Sequence, residues 1–269
     1  MKSILNLFLP ILLFTFIVIN CSSVPLTGRT QLNMIPVSQM LSMSFQQYDE
    51  FIKTNKISAD VNNTNMVKRI GFNVQNAVQR YFTDNNLSDR LAGYNWEFNL
   101  IESNDVNAWC MPGGKVVVYT GILPLTQDES GLAVVMGHEI AHAIAEHGNE
   151  RMSQILLTQL GGLALSEALS SQPVQTRNLW LGVYGLGAQV GILLPYSRTH
   201  ESEADKLGLI FMAMAGYDPN SAVAFWERMA AQKQGQAPPE FLSTHPSDRT
   251  RIDNIKKHLP EALKYYNIQ

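Results

Sequence analysis

The stretch GHEIAHAIAEHGNER, residues 137–151, holds three of the six histidines of this 269-residue chain. His138 and His142 are four residues apart, so on a helix their imidazoles lie on one face and can close on a single metal ion. Glu139 follows the first histidine, where its carboxylate can reach a metal-bound water without being a ligand. His147 points away from the pair, which predicts a surface or capping residue.

This HExxH spacing is the signature of zinc proteases. Two histidines on a solvated helix face are the alternative, but apolar residues flank the pair on nearly all sides and predict a buried helix: Val134, Val135, Met136, Ile140, Ala141, Ala143, Ile144 and Ala145. Unpaired polar groups in such a helix are costly, and a metal removes that cost. A capping box at Thr126 and Glu129 predicts where the helix begins, and Gly148 is expected to end it.

A catalytic zinc takes three protein ligands and keeps one position open. The segment SRTHESEAD, residues 197–205, offers candidates for the third. Glu201 and Asp205 share a helix face, so Glu201 is expected to bind the metal while Asp205 orients a ligand histidine. Glu203 would lie on another face.

The remaining pattern indicates helices joined to a few strands. YNWEFNLIES (94–103) and KVVVYTG (115–121) read as strands, and with the turn residues Pro112–Gly114 between them they predict a short antiparallel sheet. The apolar run 179–194 is short for a bilayer span, so a buried helix is expected there, with membrane contact as the alternative. Residues 235–247 read as a loop. Further helices are predicted at about 38–53, 61–81, 150–170, 198–215, 219–233 and 247–258.

The first twenty residues have the layout of an export signal, and Cys21 follows them as in a bacterial lipoprotein, although Asn20 stands where a small residue is usual. We therefore expect a signal peptide at 1–20, a lipid-anchored tether at 21–36 attached to the membrane through Cys21, and one catalytic domain at 37–269. An uncleaved anchor or an ordinary cleaved signal is the alternative. Cys110 would then have no disulfide partner.

Composition excludes one class of partner. The formal net charge is -3 and the pI about 6.1. Neither a basic face nor an aromatic-and-basic stripe is present, so no nucleic acid is expected.

HExxH followed by SRxxExxAD resembles metallopeptidase family forty-eight. That family includes prenyl-protein (CAAX) endopeptidases, a heat-shock membrane protease, a mitochondrial inner-membrane quality-control protease and bacterial periplasmic lipoproteins. The similarity extends to CSSVPLTGRTQLNMI (21–35), NAWCMPGGKVVVYTGIL (107–123) and THPSDRTRI (244–252).

The resemblance implies an α+β fold, a mostly helical gluzincin-type domain with a small antiparallel sheet. It implies one Zn²⁺ held by His138, His142 and Glu201, with Glu139 as general base. The expected function is a lipid-anchored metalloendopeptidase that faces the periplasm of a bacterial envelope, on the outer rather than the inner membrane, and cleaves misfolded or misassembled envelope proteins. A narrow processing peptidase, or a chaperone or assembly adaptor without turnover, is the alternative.

Four further residues are expected to serve catalysis. His245 and Arg198 are candidate donors to the oxyanion of the transition state. Asn107 and Ala108 are expected on an edge strand over the cleft, where a peptide can add as a strand. His245 precedes Pro246, which holds it extended. By resemblance it is expected to reach the metal in the resting enzyme and keep it latent, with 235–247 as the gate; a surface histidine is the alternative.

Overall fold

The computed structural model describes residues 21–172, 174–189, 193–232, 240–246 and 249–266. Its helices are α1 (Val37–Thr54), α2 (Val61–Asp84), α3 (Leu123–Thr126), α4 (Glu129–Ile144), α5 (His147–Ala168), α6 (Val174–Ala188), α7 (Leu194–Met214), α8 (Ser221–Ala231), α9 (Glu240–Thr244) and α10 (Arg249–Tyr266). Its strands are β1 (Cys21–Ser23), β2 (Thr30–Leu32), β3 (Glu97–Ile101), β4 (Ala108–Met111) and β5 (Lys115–Tyr119). The mostly helical α+β class is therefore confirmed.

The chain divides into two compact units, and the single catalytic domain expected at 37–269 stays a prediction. The first comprises the described residues up to Val37 together with Glu146–Thr199, and the second comprises Ser38–Ala145 and the described residues from His200 onward. The signal peptide expected at 1–20 lies outside the described residues, and lipidation of Cys21 stays a prediction.

In the first unit, the segment expected to be an extended tether is folded. Strands β1 and β2 pair as an antiparallel hairpin, and Val24 between them is buried. The Arg29 guanidinium donates to both carboxylate oxygens of Glu150 in α5, at 2.9 and 2.7 Å. The backbone N–H of Met34 donates to the Ser153 hydroxyl at 2.8 Å. Residues 21–36 are thus part of this unit, because their backbone and side chains are bound to α5.

Two further expectations fail in the same unit. Helix α6 covers much of the run 179–194, but its large apolar side chains are exposed, so the prediction of a buried helix is wrong. His147, expected at the surface or as a cap, is buried. Helical spacing identifies a helix, but it does not say which of its faces is covered.

In the second unit, the three-stranded sheet has the order β3-β5-β4 and is mixed. Strand β4 is antiparallel to β5, whereas β3 is parallel to it. The purely antiparallel sheet expected from the sequence is therefore wrong. The reason is β4, which comes between β3 and β5 along the chain. The chain reverses direction before β4 and again after it, so β3 and β5 run in the same direction.

Helix α4 lies at the centre of the second unit, in contact with α2, β4 and α8. All its residues from Gly131 to Ile144 are buried except His142, which is partly exposed. The Asp128 carboxylate caps the helix by accepting from Gly131 N–H at 2.7 Å, whereas Thr126 ends α3. The helix ends at Ile144 rather than Gly148, since Glu146 adopts the left-handed conformation with φ of 56°.

Candidate metal centre

The two histidines of HExxH converge as their spacing predicts. The Nε2 atoms of His138 and His142 lie 3.1 Å apart on one face of α4. His138 is buried at 2% exposure, and His142 is partly exposed. Glu139 between them is buried, and its Oε1 has no hydrogen-bond partner among the described residues.

Helix α7 brings two carboxylates to these histidines. Glu201 Oε1 lies 3.3 Å from His142 Nε2, and Glu201 Oε2 lies 3.4 Å from His138 Nε2. Asp205, one turn further along, places Oδ1 3.0 Å from His138 Nδ1. A proton on Nδ1 donated to Asp205 leaves the Nε2 lone pair of His138 directed at the cluster.

A backbone contact between α4 and α7 makes this approach possible. A Cβ added to Gly208 would lie 2.8 Å from the His138 nitrogen, and one added to Gly137 would lie 2.9 Å from the Gly208 carbonyl oxygen. Real side chains are not accommodated at such distances, so both glycines are needed for the helices to pack this closely.

His245 completes the cluster from a different element. Its Nδ1 lies 3.1 Å from His138 Nε2 and 3.0 Å from Glu201 Oε1, while its Nε2 lies 3.4 Å from Glu139 Oε1. The segment 240–244, expected as loop, is helix α9, and the His245 N–H donates to the Phe241 carbonyl at 2.8 Å. The Phe241 ring packs on the imidazole. His245 is therefore a partly buried member of the site, and the surface alternative is wrong.

The described part of the chain contains one group of this kind: a ligand atom from each of His138, His142, Glu201 and His245 lies within 4.8 Å of the others. Imidazole nitrogens and carboxylate oxygens are the ligands that zinc prefers in proteins. The Oε1 atom of buried Glu139 accepts no hydrogen bond from the described residues, and it lies 3.4 Å from His245 Nε2 at the edge of the same group. The residues present fit a zinc ion with an adjacent base.

The electrostatics of the cluster favour a cation. Burial lowers the pKa of His138, but the carboxylates of Asp205 and Glu201 outweigh it and raise that pKa to about 9. Burial opposes ionisation of Glu201, yet hydrogen bonds from the three histidines hold its pKa far below the usual range. Burial raises the pKa of Glu139. Positive charge is thus stabilised where the imidazoles meet Glu201, which is the place a metal ion would occupy.

Arg251 of α10 is a site residue that sequence reasoning missed. Its Nε and Nη2 donate to the two oxygens of Asp205 at 2.9 and 2.7 Å, and its Nη1 lies 3.0 Å from Glu201 Oε2. The guanidinium stacks on Trp226, 3.5 Å from the ring centre. Burial raises the pKa of Asp205, but Arg251 and His138 together hold it below its usual range. The available sequence signal was the pair of carboxylates, Glu201 and Asp205, on one helix face. Two carboxylates in a largely buried site require a nearby cation, and this requirement predicts a basic residue such as Arg251.

The other predicted residues have different outcomes. Arg198 is exposed and belongs to the first unit, and its role as an oxyanion donor stays a prediction. Ala108 begins β4, which pairs only with β5 among the described residues and is therefore an edge strand. Asn107 precedes it, and the Asn107 side-chain oxygen accepts from the Ala108 N–H at 2.9 Å.

A match to Peptidase family M48 covers residues 72–259. The chain belongs to this family. It is 41% identical over 62% of its length to a mitochondrial metalloendopeptidase OMA1 of Schizosaccharomyces pombe, covering 48% of that protein, and 33% identical over 89% to its Bos taurus counterpart, covering 46%. A beta-barrel assembly-enhancing protease of Yersinia pestis is 30% identical over 60% of the chain and 34% of that protein.

These comparisons confirm the predicted family and, with it, the prediction of a zinc metallopeptidase. The chain spans about half the length of the mitochondrial relatives that it matches. The predicted location in a bacterial envelope, at the outer membrane and facing the periplasm, is wrong, because relatives from yeasts, plants and animals carry mitochondrial names.

Proposed function

We propose that this protein is a zinc-dependent endopeptidase that cleaves unfolded or misassembled proteins. The observation that carries the proposal is the convergence of His138, His142 and Glu201 beside the buried carboxylate of Glu139. Two imidazoles and one carboxylate make a three-ligand catalytic site, and an adjacent base completes the groups needed for peptide hydrolysis.

Each residue has a distinct task in this reaction. Zinc, when bound, polarises the peptide carbonyl and lowers the pKa of a water ligand. Glu139 takes the proton from the attacking water on a carboxylate oxygen and gives it to the leaving amine. Asp205 holds the His138 ring through Nδ1, and Arg251 holds Asp205 and Glu201 in place.

Strand β4 is the proposed substrate-binding edge. Asn107 accepts from the Tyr119 N–H, so alternate residues of β4 bond to β5 and those between, Ala108 and Cys110, direct their backbone groups outward. The outward N–H of Ala108 is already bonded to the Asn107 side chain. A peptide adding as a strand therefore pairs chiefly with Cys110. Burial raises the pKa of the Cys110 thiol, and the nearby carboxylate of Glu139 raises it further, which places this part of β4 close to the proposed base.

This geometry supports the choice of substrate. Strand addition requires an extended backbone with free hydrogen-bonding groups, and folded proteins rarely offer one. Unfolded or misassembled chains do. The name of the Yersinia pestis relative, a beta-barrel assembly-enhancing protease, is consistent with such substrates.

His245 supports latency at rest. Its Nδ1 lies within 3.1 Å of both a ligand histidine and the ligand carboxylate, so it is placed to fill the position that substrate and water need. Movement of His245 off the metal would open the site and make the imidazole available to the oxyanion. The alternative function, an assembly adaptor without turnover, corresponds to a chain in which His245 always fills the position that substrate and water need.

Cleavage of casein, an unfolded protein, tests the proposal. The wild-type chain should cleave casein, lose that activity to a zinc chelator and regain it when zinc is added back. Glu139→Gln should keep zinc and lose cleavage, while Glu102→Gln, on an exposed carboxylate outside the cluster, should keep both. Cleavage that persists in Glu139→Gln, or a wild-type enzyme that is indifferent to chelator, would exclude the proposed mechanism.

A further inference from the structure

Helices α5 and α6 of the first unit expose large apolar side chains. Leu160 and Leu163 of α5 are 50% and 67% exposed, and Leu179 and Leu186 of α6 are 65% and 70% exposed. Others on the two helices are also exposed: Met152, Ile155, Leu156, Leu157, Val174, Trp180 and Val183. This contiguous stretch of chain accounts for most of the large apolar residues exposed in the described residues.

The pattern of α5 is inverted relative to a water-soluble helix. Its buried residues all lie in the first two turns and are polar: His147, Asn149, Glu150, Ser153 and Gln154. From Ile155 onward no residue of the helix is buried. Ile155, Leu156, Leu160 and Leu163 recur at helical spacing and therefore share one face. A helix that turns such a face to water needs a partner that covers it.

Charge is nearly absent from the same stretch. Between Arg151 and Arg198 the charged residues are Glu167 and Arg177 alone, although 16% of the whole chain is charged. The polar hydroxyl of Tyr184 is satisfied inside the pair of helices, since it donates to the Thr158 carbonyl at 3.0 Å. An uncharged, internally bonded surface suits an apolar medium better than a charged protein partner.

We propose that α5 and α6 lie in the interface of a lipid bilayer, with their exposed apolar side chains among the acyl chains. Helix α6 has 15 residues and is about 22 Å long, against about 30 Å of hydrocarbon. None of the described helices is long and apolar enough to cross a membrane. The helices therefore lie along the surface, where Trp180 is also favoured.

The N-terminal segment is an independent reason to choose a bilayer over a second copy of the chain. Residues 1–20 carry one charge, Lys2, in an otherwise apolar run. They lead into β1, and the segment that follows is bound to α5 by the Arg29–Glu150 ion pair and by the Met34–Ser153 hydrogen bond. A membrane-inserted run at 1–20 would deliver to the bilayer the same unit that exposes α5 and α6.

Depth-dependent fluorescence quenching tests this placement in the full chain. Cysteine is introduced at Leu163, at Leu186 or at the control Val61, which is 68% exposed in the second unit, and is labelled with an environment-sensitive dye. The background carries Cys21→Ser, Cys110→Ala and Glu139→Gln, which removes other thiols and self-cleavage. The vesicles are phosphatidylcholine with nitroxides on the acyl chains.

The expected result is quenching at 163 and 186 and none at 61, unchanged by high salt because the surface carries almost no charge. Anchoring through residues 1–20 alone would leave all three labels unquenched and would overturn the proposal. A blue shift at 163 that appears without vesicles and grows with protein concentration would identify a second copy as the partner, and would also overturn it. Neither outcome depends on peptidase activity.

Discussion

Gly208 of α7 lies against the backbone of His138 in α4, so that a Cβ at position 208 would be 2.8 Å from the His138 nitrogen. This contact sets the distance between the helix that carries the two histidines and the helix that carries Glu201 and Asp205. The metal centre therefore depends on a residue that has no side chain and contacts no ligand atom.

Gly208→Ala should separate the two helices and weaken the site. Overpacking of this kind costs about 1–3 kcal/mol of unfolding free energy, and we expect reduced zinc affinity with it. Thermal unfolding and zinc titration measure the two effects. Gly182→Ala on α6 is the matched control, because no heavy atom lies within 4 Å of its added Cβ. There we expect stabilisation of about 0.4–1 kcal/mol. Equal responses from the two variants would contradict the role given to the contact.

Arg251→Lys should preserve the positive charge and lose the bidentate hydrogen bonds to Asp205. We expect zinc affinity to fall by about 10- to 100-fold, the usual effect of losing a residue that orients a metal ligand. Arg249→Lys, an exposed arginine at the start of the same helix, is the control. Competition with a chelator of known affinity measures the change. Unaltered zinc affinity in Arg251→Lys would mean that Asp205 and Glu201 are held by other contacts.

The spacing of residues within one helix was sufficient to predict which candidate ligands lie together. His138 and His142 share a helix face, as do Glu201 and Asp205, and a four-residue interval places such pairs without knowledge of the fold. What failed depends on contacts between distant segments. Arg251 lies 46 residues from Asp205 in the chain, and the Gly137–Gly208 contact spans two helices.

The periodicity of apolar residues also failed to predict which helices are buried. The run 179–194 was expected to be covered because it is apolar, yet Leu179 and Leu186 are exposed. Although Ala108 was expected on an edge strand, the sheet was predicted from the strands at 94–103 and 115–121 alone, and the omission of β4 from it made those two strands antiparallel. A four-residue strand is too short for its alternation to be distinguished from a turn.

Cys110→Pro should impair substrate binding and leave the metal site intact. The Cys110 N–H points away from β5, so proline removes a bond to the substrate and none to the sheet, and proline is tolerated at such edge positions. We expect a higher KM for an extended peptide with zinc content unchanged. Cys110→Ala, which keeps the N–H, should behave as the wild type. A normal KM in Cys110→Pro would place the substrate elsewhere.

His245→Ala should raise the basal cleavage of casein and leave zinc content unchanged. The variant retains His138, His142 and Glu201 and opens the position that His245 is proposed to fill at rest. Initial rates and zinc content, measured on the same preparations, give the answer. A fall in cleavage would assign His245 to the oxyanion instead, and an unchanged rate would show that it neither blocks nor assists the reaction.

The identity of the third ligand is the centre of this account, and zinc retention in Glu201→Gln tests it most directly. Glu203→Gln, on a buried carboxylate two residues away on the same helix, is the matched control. After dialysis against a weak chelator, the wild type and Glu203→Gln should each retain one zinc ion, while Glu201→Gln should lose it. Retention by Glu201→Gln together with loss from Glu203→Gln would contradict the proposed metal centre.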